Sequence, residues 1–153
     1  MLGLFLLLPV LALYARDLPD YTPEMLGLAM GAYGLTQALL QIPFGRWSDR
    51  FGRKPVIAIG LVLFAAGSLI GSLAQSVVML TVARCVQGAG AVSAAVSALL
   101  ADLTRPEVRT RAMAVIGASI GLSFVLALVL APVLDGAIGV PGIFVVMLVM
   151  AIG

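Results

Sequence analysis

Long runs without a single charge decide what this chain can fold into. No Asp, Glu, Lys or Arg occurs between Glu24 and Arg46, between Lys54 and Arg84, or between Arg111 and Asp135. At 1.5 Å per residue, about 20 apolar residues in a helix cross the hydrocarbon of a bilayer. A soluble helix of that length needs a broad polar, charged outer face toward water, and these runs have none. Charged residues make up 10% of the chain and hydrophobic ones 62%, whereas soluble proteins carry about 25% charge. The sequence therefore reads as an all-α integral membrane protein.

Six segments lie between the charge clusters, at about 1–15, 24–44, 55–74, 77–101, 110–133 and 142–153. The first is short at its start and the last is cut by the end of the chain. Residues 1–15 are read as a first span, not a removed signal. No basic stretch precedes the apolar run, and Leu13 stands where a cleavage site needs a small residue. Pro55 suits the first turn of the third helix, and Gly139 with Pro141 marks the turn before the sixth.

Charge placement then orients the segments. If they alternate, seven of the nine cations share one face: Arg46, Arg50, Arg53, Lys54, Arg105, Arg109 and Arg111. The other face holds Arg16 with Asp17, Asp20 and Glu24, the uncharged Gln75-Ser76 turn, and Asp135. Short cation-rich loops stay in the cytoplasm, so the loops near 45–55 and 102–111 are expected there. The net charge of +2 carries less information than this asymmetry.

The same residues exclude other classes. There is no histidine, and the single cysteine, Cys85, cannot form an internal disulfide. No nucleophile with a base, no metal-ligand cluster and no nucleic-acid footprint is present, so the chain is not expected to be an enzyme or to need a metal or cofactor.

Polar residues inside the spans are the remaining signal. Arg84 lies about seven residues into the fourth segment, roughly 10 Å down. A cation at that depth costs about 2.5–3.5 kcal/mol on insertion scales, so it must face a cavity or partner, or snorkel to the outer interface. Gln87, Gly88 and Ala91 share its helical face. Tyr33, Gln37 and Gln41 recur every four residues and either line a water-filled path or bond to a neighbouring helix. Ser93 with Ser97, and Ser119 with Ser123, admit the same two readings. Gly27/Gly31, Gly67/Gly71 and Gly117/Gly121 have the spacing that lets helices approach closely in lipid. No Asp or Glu lies inside a span. Glu24 and Asp102 stand at opposite edges, so a proton-titrating acid is either one of these or outside this segment.

The most specific motif is Gly45-Arg46-Trp47-Ser48-Asp49-Arg50-Phe51-Gly52-Arg53-Lys54. It resembles the signature loop Gly-x-x-x-Asp-Arg/Lys-x-Gly-Arg-Arg/Lys of the major facilitator superfamily at every defined position. Arg84-Cys85-Val86-Gln87-Gly88-Ala89-Gly90-Ala91 is similar to that superfamily's fourth-helix motif. Gly3 followed by Pro9-Val10-Leu11 is similar to a first-helix pattern of its drug/proton antiporters. The fifth-helix antiporter motif is only partly present, in Ala131-Pro132-Val133-Leu134-Asp135-Gly136. Tyr33–Ala38, Gln41–Gly45 and Asp102–Arg105 resemble the corresponding stretches of YajR-type bacterial multidrug transporters.

The resemblance implies a major facilitator fold, with residues 1–153 supplying a partial N-terminal six-helix half and a C-terminal half as its partner. It implies proton-coupled efflux of small amphipathic compounds by alternating access, from the bacterial inner membrane. A symporter or uniporter for another small solute is the alternative, and a non-transport membrane protein the more distant one. It also implies site residues. Gly45, Asp49, Arg50, Gly52, Arg53, Lys54 and Asp102 would form a latch and charge network. Arg84, Gln87 and Gly88 would serve proton coupling. Tyr33, Gln37, Gln41, Ser93 and Ser97 would line the cavity. Small-molecule substrate, protons and lipid are the other partners expected.

Overall fold

A computed structural model describes residues 2–90 and 93–152. Every regular element among them is helical: α1 (Leu2–Arg16), α2 (Pro23–Phe51), α3 (Arg53–Ser72), α4 (Val77–Ala89), α5 (Ser93–Leu103) and α6 (Arg109–Ile152), with one 3-10 turn at Pro106–Val108. The helices Pro23–Phe51 and Arg53–Ser72 and the stretch Pro106–Ile152 are long and apolar enough to cross a membrane. The expected fourth span is covered by α4 and α5, which flank the undescribed residues 91 and 92.

Local chemistry sets the starts of α2 and α4. The Thr22 hydroxyl accepts from the Met25 N–H at 3.1 Å, with Pro23 in the first turn. Ser76 does the same for Met79 at 3.2 Å. Each side-chain oxygen satisfies one of the N–H groups a helix start leaves unpaired.

Two boundaries differ from the sequence reading. Residues 45–51 were expected in a loop, but α2 continues through Pro43 and the first seven residues of the charged motif to Phe51. The break is the single residue Gly52, at φ 98°, ψ 155°. A helix that leaves the hydrocarbon keeps its hydrogen bonds in water, so charge alone does not end it. A non-helical glycine does. The second difference is at 134–141, where one residue again replaces a loop. Gly139, at φ 68°, ψ 174°, interrupts α6, and helix resumes at Val140.

The core confirms that the chain folds back at Gly139. Ala127 and Ala131 before the break, and Ile143, Phe144 and Met147 after it, share one buried cluster with Leu6, Leu7, Val10 and Leu11 of α1. A straight helix would hold Ala127 and Met147 about 30 Å apart. A second cluster, Phe44, Val56 and Ala95, joins α2, α3 and α5.

Glycines set the closest approaches, though not all those the spacing suggested. A Cβ on Gly67 would lie 2.6 Å from the Gln87 backbone nitrogen and 2.9 Å from the Ala83 carbonyl, and one on Gly71 would enter the Phe144 ring. The pairs Gly27/Gly31 and Gly117/Gly121 meet nothing within 4 Å. Their spacing matches a helix contact, but the described bundle places no helix there.

Candidate functional site: a junction of ion pairs and a buried arginine

Two polar clusters interrupt the apolar bundle. The first forms around Arg53, the residue that opens α3. Because Gly52 is the whole connection, Arg53 stands one turn from Asp49 on α2, and its guanidinium pairs with that carboxylate through Nη1. Nε donates to Asp102 Oδ2 at 2.9 Å, reaching the end of α5. Nη1 also donates to the Ser48 hydroxyl at 2.9 Å. One side chain thus ties three helices at a single end of the bundle.

The burial of this cluster is uneven. The Arg53 side chain is 21% exposed, while Asp49 and Asp102 are 66% and 56% exposed. Ser48 is buried, and Phe44 packs on Trp47 just before it. Both carboxylates therefore keep accessible oxygens beyond those that Arg53 occupies. Of the other expected latch residues, Arg50 lies over its neighbour Phe51, 5.6 Å from the ring centre. Lys54 and Arg46 are exposed. Gly45 has nothing within 4 Å of a notional Cβ. Arg109 closes the same end by donating to the Ala101 carbonyl at 3.2 Å.

The second cluster surrounds Arg84, which is only 1% exposed and so does not snorkel to the interface. Its Nη1 donates to Gln87 Oε1 at 3.0 Å, one turn along α4. Gln87 Nε2 donates to Ser68 Oγ on α3 at 2.9 Å, and that hydroxyl donates to the Phe64 carbonyl at 2.9 Å. On the α2 side, the guanidinium sits 4.8 Å from the centre of the Tyr33 ring. Gly88 makes this possible, because a side chain there would collide with the Tyr33 carbonyl. Among the described residues, Arg84 Nε has no hydrogen-bond partner.

The polar stripe on α2 splits by neighbour. Tyr33 faces Arg84, Gln37 Nε2 donates to Ser93 Oγ on α5 at 3.4 Å, and Gln41 is exposed. Ser97 is half-buried, and Ser119 is exposed with its hydroxyl on its own helix at the Val115 carbonyl. Ala91, expected on the Arg84 face, lies outside the described residues.

Ser48 and Ser68 belong to these clusters, and sequence reasoning missed both. Ser48 was visible only as an unspecified position of the charged motif. Ser68 sits between Gly67 and Gly71, but its partner Gln87 is 19 residues away on another helix. No periodicity within α3 marks it.

The chain is 50% identical over 93 residues to the inner membrane transport protein YajR of Escherichia coli, a match covering 61% of this chain and 20% of that protein. It is 33% identical over 90 residues to the quinolone resistance protein NorA of Staphylococcus aureus, covering 59% and 23%. An MFS-type transporter of Aspergillus terreus is 51% identical over 59 residues, covering 39% and 11%. The matched segment thus spans about a quarter or less of each relative's length. The family profile extends further, from residue 1 to residue 153, and with its two polar clusters on an all-helical bundle this chain belongs to the Major Facilitator Superfamily, as part of an N-terminal half.

Proposed function

We propose that this half-bundle works in a proton-coupled exporter of small amphipathic compounds in a bacterial inner membrane. A second, C-terminal half would rock against it by alternating access around a midplane site. The observation that carries the reading is the Arg53 junction. Its ion pairs are exposed, and exposed pairs contribute only about 0–1 kcal/mol each. Bonds that weak can be made and broken in every cycle, and they sit where helices meet. Asp49 in addition keeps an oxygen free to meet the N-terminus of a helix in the other half, a contact worth up to about 2 kcal/mol when partly buried.

The export direction draws on the relative named for quinolone resistance. Proton coupling draws on Arg84, which is buried with Nε unpartnered among the described residues. A buried donor without a partner costs about 1–3 kcal/mol, and such groups mark functional positions. An acid brought near this guanidinium would be biased toward its charged form.

Proteoliposomes with the full-length transporter test the proposal. Quinolone or dye flux should follow an imposed pH gradient and collapse when a protonophore removes it. Flux indifferent to the gradient would reject proton coupling, and substrate moving in the same direction as the protons would select the symporter alternative. Arg84→Lys keeps the charge but loses the fork on Gln87. It should slow flux at least tenfold and alter its dependence on pH.

A further inference from the structure

We infer that Ser68 is a positioning residue that holds the Arg84 guanidinium through Gln87, an inference that rests on the coupling role proposed for Arg84. The relay has one permitted direction. Arginine has only donors, so Gln87 must present its carbonyl oxygen to Arg84 Nη1, as it does at 3.0 Å. The amide NH2 then points away, toward α3, where Ser68 Oγ accepts it at 2.9 Å. A hydroxyl has one hydrogen, and Ser68 directs it to the Phe64 carbonyl at 2.9 Å, leaving its lone pairs to the amide.

Without Ser68 this chain of constraints is broken. The Gln87 amide could rotate and place its NH2 against the guanidinium, donor against donor. Ser68, Arg84 and Gln87 are all at most 1% exposed, so no water competes for these bonds, and each is stronger than it would be in a wet site. Gly67, the residue before Ser68, keeps α3 against the Gln87 backbone, so the serine cannot drift from its partner. The Tyr33 ring closes the opposite side. Ser68 therefore decides which way the unpartnered Nε of Arg84 points.

The test uses the full-length transporter with Ser68→Ala, Gln87→Leu and Ser68→Thr, which keeps the hydroxyl. Ser72→Ala is the control, because Ser72 donates only to Leu69 of its own helix at 2.8 Å. Two readouts separate positioning from coupling. In 15N spectra from nanodiscs, the Arg84 Nη signals should be separate in wild type, Ser68→Thr and Ser72→Ala, and averaged by rotation in Ser68→Ala and Gln87→Leu. In proteoliposomes, a displaced guanidinium favours the charged form of a nearby acid less, so the pH midpoint of flux should rise in Ser68→Ala relative to wild type and Ser72→Ala. Separate Nη signals in Ser68→Ala would overturn the relay. Averaged signals with an unmoved midpoint would overturn its part in coupling. A wild-type flux without pH dependence would defeat the coupling reading itself, and the spectra would still decide the relay.

Discussion

Single residues here do different work from neighbours of the same type. Gly67 and Gly117 both head a Gly-x-x-x-Gly pair, but only Gly67 lies against another backbone. Gly67→Ala should force α3 from α4, and overpacking of that kind costs about 1–3 kcal/mol. Gly117→Ala meets nothing within 4 Å, so the better helix propensity of alanine should leave stability unchanged or raised by up to about 1 kcal/mol. Thermal unfolding of the two variants in one detergent checks this, and equal losses would mean that both glycines are packed. Spacing alone could not separate the pairs, because it records which residues share a face and not what that face meets. The cost of a charge in a span marked Arg84 in the sequence but left a cavity, a partner or a snorkelling side chain open, and its 1% exposure selects burial. Which partner it has, an amide relay with an aromatic face, was not legible, since Tyr33, Ser68 and Gln87 come from three helices.

Elements are joined here by unusually little chain. Gly52 and Gly139 each connect two helices alone, and both occupy the region of positive φ with extended ψ that is essentially closed to other residues. The need for glycine at 52 was legible in the motif. That α2 runs unbroken to Phe51 was not, because charges mark where a helix leaves lipid and not where it ends. Gly52→Ala should cost about 1–3 kcal/mol as backbone strain, seen as a lower melting temperature and a smaller folded fraction after extraction. It should also move Arg53 relative to Asp49, so flux should fall further than stability alone explains. Asp102→Asn gives the complementary pattern. It removes a charge from an exposed pair, so the melting temperature should hardly move, while flux falls severalfold if the junction is a latch. Normal flux in Asp102→Asn would reduce the junction to scaffolding.

At the scale of the whole molecule, the two polar clusters lie at different depths of the bundle, and this separation suits alternating access. The Arg53 junction sits at the end where Gly52 joins α2 to α3, accessible to water on its carboxylates. Arg84 is enclosed between α2, α3 and α4, with α4 crossing both partners at Gly88 and Gly67 contacts too tight for any side chain. A rocking half must move as a rigid body for a change at one cluster to be felt at the other, and backbone-to-backbone packing of this kind supplies that stiffness. A latch of this kind works only if the Arg53 junction faces the cytoplasm, where seven of the nine cations would lie. Lys54 and Gln75 are both exposed and sit at opposite ends of α3. In a full-length transporter with Cys85 replaced by Ala, a cysteine at position 54 should react with a membrane-impermeant maleimide only from the cytoplasmic side. A cysteine at position 75 should react only from the outside. The reverse pattern would put the ion pairs on the periplasmic face and overturn both the topology and the latch assigned to them.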